Sequence, residues 1–383
     1  MKKDGNICVL FVTHTAVVAG ANLSMLQLMI ELKDYHNIVP LVLMPPIRRG
    51  LDFKDECDKH GIRSYVAKFH WFKEKTCFLP LLRYLSNIIW YTIIFYKLRN
   101  EKIDIVHSNG SVIDIGVVLS KIKRVPHVWH LREFGELDFG VKSVLGRNYE
   151  KFVYSGGDVF VAISKIIRNH YSTIIPKQKI QLVYNGITPP PDSMLSKHNN
   201  PEIRFCIVGI VSPNKNQKEA LEAMNILVNK MGVNNVSLTF VGKEDPVYVQ
   251  ELKKYSEHNN LHGHICFLGE RNDVGNILST MDVGLMTSKS EAFGRVTVEY
   301  MMHDLAVIAS STGANPEIIA HETTGLLYKL GDTMELACQM KKVIDDKKLL
   351  MKLAENGRLF SLNSFPSRRN SDQIYHIYES LLN

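Results

Sequence analysis

Two glutamates that stand eight positions apart around a glycine are the side chains best suited to chemistry in this chain. A short apolar run of the buried-strand type, residues 283–287, precedes Glu291, and residues 296–303, which include Glu299, have the apolar spacing of a helix. We therefore predict a strand, a loop and a helix. Glu291 would lie in the loop, and Glu299 about one turn into the helix.

The glycine between the two glutamates predicts an anion site at the start of that helix. Gly294 allows the backbone to approach a ligand closely. The N–H groups of Arg295, Val296 and Thr297 would point out of the helix N-terminus, where a phosphate is favoured. Carboxylates on both sides of a phosphate can accept hydrogen bonds from hydroxyls, which suits a nucleotide-sugar. An ordinary amphipathic helix with two surface glutamates would have the same spacing.

This segment resembles the signature of the retaining glycosyltransferases of family 4, also called group 1, which is E-x7-E in a context like E-G-F-G-x-x-x-x-E. Phe293 and Gly294 match the middle of that signature. The resemblance implies that Glu291 contacts the donor sugar and Glu299 the ribose, with the intervening amides on the diphosphate.

Further motifs follow in the order of that family along nearly the whole chain. They are residues 7–12, then 19–22 with an apolar helix from Leu23, then 105–109, 128–130, 161–164, 183–187, 207–209, 215–217, 267–269, 313–317 and 325–327. Each match alone is weak. Their fixed order favours the glycosyltransferase interpretation over the amphipathic helix.

The resemblance also assigns residues outside the signature. His130 lies where the family places a histidine near the donor sugar, and Lys215 follows Gly209 in the loop that would hold the diphosphate. The predicted catalytic residues are His130, Glu291 and Lys215. The predicted donor-binding residues are Gly20, Gly209, Lys215, Glu291, Phe293, Gly294, Arg295, Val296, Thr297 and Glu299.

Some positions depart from the family or have a second interpretation. Ile210 stands where the family often has arginine, so Lys215 would carry more of the phosphate binding, and Ala19 replaces the first glycine of the opening loop. His130 could be a packed structural histidine, and we expect His107 to be one. We expect no metal site and no cofactor, because the sequence has no His/Asp cluster and no D-x-D in the expected place.

Apolar strands alternate with helical segments throughout the 383 residues, which predicts an α/β protein with parallel sheets covered on both faces. The resemblance implies the GT-B fold, in which two Rossmann-like domains face each other across a cleft. We place an acceptor-binding domain at residues 1–188 and a nucleotide-sugar-binding domain at 202–368, with a proline-rich linker between them. A C-terminal helix at 369–383 would pack back on the first domain.

Composition and charge suggest where such an enzyme works. The chain is 45% hydrophobic and 22% charged, begins without a signal-peptide pattern, and has six cysteines with no C-x-x-C pair, so we expect a cytosolic protein whose cysteines are small core residues. Residues 1–190 hold 26 Lys and Arg against 16 Asp and Glu, whereas the remainder is slightly acidic. No nucleic-acid-binding module accompanies the basic half.

An apolar, aromatic segment at residues 78–97 lies within the basic half. It is too short between charges to span a bilayer. It has two interpretations, a core helix and an interfacial helix on an anionic membrane surface, and we expect a mixture of the two. In the second case the attracting cations would be Lys68, Lys73, Lys75, Lys97, Arg99 and Lys102.

We therefore predict a retaining glycosyltransferase that moves a sugar from a nucleoside diphosphate, with UDP expected, to a hydroxyl of a glycan or lipid-linked glycan in bacterial surface polysaccharide assembly. No enzyme nucleophile is assigned. Two alternatives stay open: a non-hydrolysing nucleotide-sugar epimerase of the same fold, and a non-catalytic nucleotide-sugar-binding subunit. A dinucleotide oxidoreductase is disfavoured because no G-x-G-x-x-G follows the first strand.

Overall fold

The computed structural model describes residues 6–18, 20–47, 52–75, 78–196, 198 and 200–383, with the backbone alone at residues 78–80, 137 and 139. Ala19 of the predicted opening loop, Cys77, and residues 197 and 199 of the predicted linker lie outside these ranges. The chain divides into two compact units. Unit 1 comprises Met1–Gly186 and Ser367–Asn383, and unit 2 comprises Ile187–Pro366.

Unit 1 is built on a seven-stranded parallel sheet with a small antiparallel pair beside it. Its strands are β1 (Ile7–Thr13), β2 (Ile38–Met44), β3 (Arg63–Val66), β4 (Lys73–Glu74), β5 (Ile105–Asn109), β6 (His127–Leu131), β7 (Lys142–Ser143), β8 (Val159–Ala162) and β9 (Ile180–Leu182). The order in the large sheet is β3-β2-β1-β5-β6-β8-β9, and β4 pairs with β7.

Helices connect these strands. They are α1 (Gly20–His36), α2 (Phe53–Lys59), α3 (Phe78–Leu85), α4 (Asn87–Lys97), α5 (Ile115–Lys123), α6 (Glu136–Phe139), α7 (Gly146–Ser155) and α8 (Lys165–Tyr171). Helix α1 begins at Gly20, three residues before the predicted start at Leu23. Asn22 is buried in its first turn and donates to the carbonyls of Thr15 and Val17, each at 2.9 Å, so its side chain holds the preceding loop.

Unit 2 contains a six-stranded parallel sheet in the order β12-β11-β10-β13-β14-β15. Its strands are β10 (Ile203–Val208), β11 (Val236–Val241), β12 (Ile265–Phe267), β13 (Val283–Met286), β14 (Ala306–Ser310) and β15 (Leu326–Tyr328). Its helices are α9 (Gln217–Asn225), which continues into a π-helical turn at Ile226–Lys230, α10 (Pro246–His258), α11 (Val274–Leu278), α12 (Arg295–Met302), α13 (Asn315–Ile318), α14 (Thr333–Asp345) and α15 (Lys347–Ser364).

The last helix, α16 (Ser367–Leu382), belongs to unit 1, where it packs against α1. Gly186 and Ser367 meet where the chain leaves unit 1 and returns to it. A Cβ on Gly186 would lie 2.5 Å from the Ser367 Cα, so only glycine fits at this crossing. The predicted α/β fold with two parallel sheets is confirmed, because nearly continuous apolar strands are buried in each unit.

The apolar segment at residues 78–97 forms α3 and α4, which meet at Ser86. One side is fixed to unit 1 by polar contacts: Tyr84 and Tyr91 both donate to the buried Asp114. The opposite side is apolar and exposed. Its members are Leu82, Leu85, Ile88, Ile89, Ile93, Phe95 and Tyr96, which we call the α3–α4 face. Within the described residues, the protein has no helix with the length and apolar character that crossing a membrane requires.

Two groups of side chains differ from the sequence-based expectation. Lys73, predicted to attract lipid, is only 4% exposed and pairs with Glu150 at 2.5 Å, so it cannot face a membrane. Its ammonium also lies over the rings of Phe72 and Tyr154.

The prediction that the cysteines are core residues is wrong for two of them, because Cys266 and Cys338 are exposed; Cys57 and Cys206 are buried and Cys8 half-buried.

Candidate active site

The two signature glutamates lie on either side of a helix N-terminus in unit 2. Strand β13 ends at Met286, and Glu291 follows in the loop before Gly294. Gly294 precedes α12 and has φ 79° and ψ 50°, a left-handed conformation that glycine adopts without strain. The N-cap residue of α12 is Gly294, which has no side chain to cap the helix, and Glu299 lies within the helix. The first N–H groups of α12 are therefore placed to bind an anion.

A second motif, residues 313–317, supports the loop that carries Glu291. A Cβ on Gly313 would lie 2.4 Å from the Glu291 carbonyl oxygen, so glycine is required for this close approach. The N–H of Ala314 donates to the same carbonyl at 2.9 Å. Asn315 donates to the Ser310 carbonyl at 3.0 Å and is buried beside Gly294. This motif thus fixes the backbone around the first glutamate.

Helix α12 is held against the sheet by the residue that follows Glu299. The Tyr300 ring lies over Gly284 in β13, where a Cβ would come within 2.2 Å of it. The Tyr300 hydroxyl accepts a hydrogen bond of 2.6 Å from the N–H of Val208 at the end of β10. Tyr300 therefore fixes the distance of α12 from the sheet, and with it the position of Glu299.

Each signature glutamate forms an ion pair with a cation predicted to bind phosphate. Lys215 Nζ lies 2.5 Å from Glu291 Oε1, and Arg295 Nε lies 2.8 Å from Glu299 Oε1. All four side chains are partly exposed, with the Glu291 side chain the least accessible at 13%. Two cations and two carboxylates are thus gathered around the start of α12.

The loop that carries Lys215 is closed by its own side chains. Gly209 has φ 140° and open space where a Cβ would stand, so the backbone conformation requires glycine and a ligand could approach it. Gln217 donates to the Ile210 carbonyl at 3.0 Å and accepts from the Ser212 N–H at 3.2 Å. Ile210, at the position of the missing arginine, is 55% exposed.

Phe293 contributes to packing. Its ring is 3% exposed and lies edge-on against Phe365, with the centroids 5.7 Å apart. The Phe293 side chain, which was predicted to bind the donor, is therefore packed in the interior of unit 2, where it holds the loop that precedes α12. Thr297 is also buried, whereas Val296 is half-buried.

His130 lies near the carboxyl end of β6 in unit 1, and its side chain is fully buried. Its Nδ1 is 3.1 Å from Nε2 of His107, whose Nδ1 is 2.6 Å from the Tyr378 hydroxyl. Nε2 of His130 is buried and has no hydrogen-bond partner within the described part of the chain. Burial, together with the Arg132 guanidinium, lowers the pKa of both histidines well below its usual range, so both are neutral.

Sequence reasoning missed the role of Arg132, which joins three of the motifs in unit 1. It donates through Nε to Asn109 at the end of β5 and through Nη1 to Asn185 at 2.6 Å, and its Nη2 lies 3.4 Å from His130 Nδ1. Three separate family-like motifs therefore meet at one buried guanidinium. The signal in the sequence was the asparagine in two of those motifs, because its side-chain oxygen can accept from arginine.

The remaining predicted residues lie as follows. Gly20, in unit 1, is the exposed first residue of α1, with open space where a Cβ would stand. Glu317, the last residue of the 313–317 motif, is in the first turn of the short helix α13. Among the residues that the structure describes, no group of three or more His, Cys, Asp or Glu side chains could hold a metal ion.

Comparison with solved structures places this architecture in the GT-B fold. The protein HepE of Anabaena, in complex with UDP, superimposes with a TM-score of 0.82 at 22% identity, covering 98% of this chain and all of HepE. A second structure of HepE, with UDP-glucose, gives a TM-score of 0.79 at 20% identity over the same coverage.

Sequence comparisons place the chain in a family. A profile described as glycosyl transferases group 1 matches residues 194–360, and one described as glycosyltransferase family 4 matches residues 41–189. An uncharacterized glycosyltransferase of Methanocaldococcus jannaschii is 26% identical over 76% of this chain and 81% of its own length. The UDP-Gal:alpha-D-GlcNAc-diphosphoundecaprenol alpha-1,3-galactosyltransferase of Escherichia coli is 27% identical over 75% of this chain and 78% of its own length. The chain belongs to the group 1, or family 4, glycosyltransferases.

Proposed function

We propose that this glycosyltransferase transfers a sugar from a UDP-sugar, with retention of the anomeric configuration, to a hydroxyl of a lipid-linked glycan in bacterial surface polysaccharide assembly. The observation that carries the proposal is the pair of cation–carboxylate contacts around the N-terminus of α12. Glu291 and Glu299 can accept hydrogen bonds from the hydroxyls of the sugar and the ribose. The diphosphate between them would take Lys215, Arg295 and the helix N–H groups as donors.

Binding of the diphosphate exchanges partners within this site. Each cation leaves its carboxylate for a phosphate oxygen, and each carboxylate then receives hydroxyl donors from the substrate. Charge-assisted hydrogen bonds are therefore present both before and after the diphosphate binds. The negative charge that develops on the departing diphosphate is stabilised by Lys215, Arg295 and the helix N-terminus, which are in place before the reaction begins.

Retention is proposed to proceed by displacement on the front face of the sugar. The bond between the anomeric carbon and the diphosphate breaks as the acceptor oxygen approaches from the same side. The departing phosphate oxygen accepts the proton of the acceptor hydroxyl. The products are the glycoside and UDP, and no covalent bond to the enzyme is formed.

The acceptor and the donor base rest on relatives. The printed name of the E. coli relative describes a galactosyltransferase with a UDP-Gal donor and a diphosphoundecaprenol-linked acceptor, and HepE has been solved with UDP-glucose. A lipid-linked acceptor also fits the α3–α4 face, on which Ile88 is 72% exposed and Ile89 64%. Exposed Lys75, Lys97 and Arg99 lie in the flanking sequence, so this face is proposed to rest on the anionic inner surface of the plasma membrane.

The proposal is tested by incubating the protein with a panel of nucleotide-sugars and measuring nucleoside diphosphate release with and without a lipid extract of bacterial membranes. We expect UDP release only when both a UDP-sugar and the extract are present, and NMR of the product to show the anomeric configuration of the donor. Conversion of the donor to an isomer without extract would indicate the epimerase. Donor binding without turnover under every condition would indicate a non-catalytic subunit.

A further inference from the structure

A row of three buried side chains in unit 1 ends at a nitrogen without a partner. The Tyr378 hydroxyl on α16 contacts Nδ1 of His107 at 2.6 Å, and Nε2 of His107 contacts Nδ1 of His130 at 3.1 Å. All three side chains are fully buried. Beyond them lies Nε2 of His130, which has no partner within the described residues.

The proton positions along this row follow from its two ends. Arg132 Nη2 lies 3.4 Å from His130 Nδ1 and can only donate, so it favours Nδ1 as an acceptor. Since a neutral imidazole carries one N–H, His130 then has its proton on Nε2. His107 must donate from its own Nε2, and its Nδ1 accepts from the Tyr378 hydroxyl.

The opposite arrangement leaves the Tyr378 hydroxyl without an acceptor and brings two N–H groups face to face. If Nδ1 of His107 donated to the Tyr378 oxygen, the hydroxyl proton of Tyr378 would have no acceptor, because His107 is its one hydrogen-bond partner within the described part of the chain. His130 Nδ1–H would also face an N–H group of Arg132. Each arrangement leaves one buried donor without a partner among the described residues, His130 Nε2–H in the first and the Tyr378 hydroxyl in the second, at a cost of about 1–3 kcal/mol. The contact between two N–H groups occurs only in the second, which favours the first arrangement.

We propose that Tyr378 and His107 are positioning residues that fix His130 in the Nε2–H form, so that it presents a hydrogen-bond donor to an oxygen atom of the sugar substrate. The inference rests on the proposed function for the identity of the ligand. Ligands of open parallel sheets bind beyond the carboxyl ends of the strands, and His130 is the penultimate residue of β6. The C-terminal helix thereby contributes to the site through Tyr378.

The first test determines the tautomer without any measurement of activity. Protein labelled with 15N in its histidine rings is examined by long-range 1H–15N correlation NMR, and the His130 signals are assigned by their loss in His130→Gln. We expect Nε2–H for His130 and His107 in the wild-type protein. Nδ1–H for His130, or a protonated ring at neutral pH, would overturn the proposal.

The second test removes the hydroxyl at the end of the row. Tyr378→Phe keeps the ring but leaves His107 without its donor, so we expect His130 to populate both tautomers. The rate of sugar transfer should fall about three- to tenfold, with the donor Kd changed less than about twofold, as for an interaction that tightens in the transition state. An unchanged tautomer and an unchanged rate would contradict the proposal.

Tyr375→Phe is the matched control, because Tyr375 lies on the same helix and stacks on His36 away from the row. It should leave the His130 signals and the rate unchanged. Failure of this proposal and failure of the proposed function can be distinguished, since the tautomer is measured without substrate. An Nε2–H His130 in a protein that transfers no sugar would support the row and contradict the proposed function.

Discussion

At the residue scale, each carboxylate of the candidate active site is paired with a cation that the same site needs for phosphate. Lys215 with Glu291, and Arg295 with Glu299, keep four charges close to the start of α12 without bound substrate. Such partly exposed pairs add little to stability. Under the proposed function, a diphosphate would find its cations already in position and would exchange partners with the two carboxylates.

The two glutamates are expected to fail in different ways when replaced. Glu299→Ala should weaken UDP binding about tenfold or more, because the ribose hydroxyls lose a charged acceptor. Glu291→Ala should change the UDP Kd by less than about threefold and lower transfer strongly, since it contacts the sugar that UDP lacks. Calorimetry with UDP and transfer assays separate the two. Glu251→Ala, at an exposed pair with Lys218, is the control; wild-type turnover in both site variants would contradict the assignment.

Replacement of Lys215 is expected to lower the transfer rate more than replacement of Lys218, a surface lysine three positions further along the chain. Because Ile210 replaces a family arginine, Lys215→Ala removes a charge-assisted hydrogen bond to phosphate and should lower kcat/KM by about 10- to 100-fold. Lys218→Ala, three positions away in an exposed pair with Glu251, should have no effect. The comparison is a steady-state transfer assay of both variants.

The same cations predict that transfer continues in excess chelator. Lys215, Arg295 and the N-terminus of α12 are proposed to stabilise the departing diphosphate, which is the task that a divalent ion would otherwise perform. Transfer rates should therefore be equal with and without EDTA. Loss of activity in EDTA that is restored by added Mg²⁺ or Mn²⁺ would contradict this prediction.

At the element scale, α3 and α4 present two different surfaces. Polar contacts to Asp114 hold one surface on unit 1, and the apolar α3–α4 face is exposed on the other. From the sequence we expected a mixture of a core helix and an interfacial helix. The structure combines features of both, since one helical segment can be anchored by tyrosine hydroxyls and still leave its isoleucines accessible.

Membrane binding through this face predicts a dependence on basic residues and salt. Replacing Lys75, Lys97 and Arg99 by glutamine should reduce binding to anionic liposomes up to about a hundredfold, at about 1 kcal/mol for each charge. Added salt should also weaken the binding of the wild-type protein to anionic liposomes. Sedimentation with phosphatidylglycerol and phosphatidylcholine vesicles measures both effects.

The control for this experiment replaces three exposed lysines of unit 2, Lys254, Lys348 and Lys352, by glutamine. The net charge changes equally, so only the location differs. Equal loss of binding in both triple variants would show a non-specific charge effect. Equal wild-type binding to neutral and anionic vesicles would exclude the electrostatic part.

At the scale of the whole molecule, unit 1 contains three fully buried histidines that favour the neutral form. Burial lowers the pKa of His107 and His130 well below the usual range and that of His127 to about 3. The unfolded chain binds protons on these rings near the unperturbed pKa of 6.5, whereas the folded chain does not. Their contribution to stability is therefore complete above about pH 6.5 and falls as the pH decreases from there toward 3.

This pH dependence can be measured for unit 1 alone, because all three tryptophans of the chain, Trp71, Trp90 and Trp129, lie in it. Fluorescence-detected unfolding should show stability falling by up to about 1.4 kcal/mol per pH unit for each histidine below pH 6.5. His127→Gln should reduce the slope, since glutamine can still bond to Ser108. His376→Gln, at an exposed side chain, should leave it unchanged; a flat profile in the wild type would contradict the prediction.

Much of the fold and of the arrangement around the candidate active site could be predicted from the sequence because the information is local. Strands, the glycine before α12 and the spacing of Glu291 and Glu299 depend on residues that are neighbours along the chain, and motif order then indicated the family. The positions of Lys215 and Gly209 followed from the same order.

Only the tertiary structure decided which distant side chains meet and which are buried. Lys73 looks like any basic residue in the sequence, but its pairing with Glu150 and its place among aromatic rings make it part of the interior. Gly313 beneath Glu291, and Tyr378 at the end of the histidine row, are likewise contacts between residues far apart in the chain. Local spacing cannot specify such contacts, because burial and hydrogen bonding depend on the packing of whole elements, which forms only when the sheets and helices assemble.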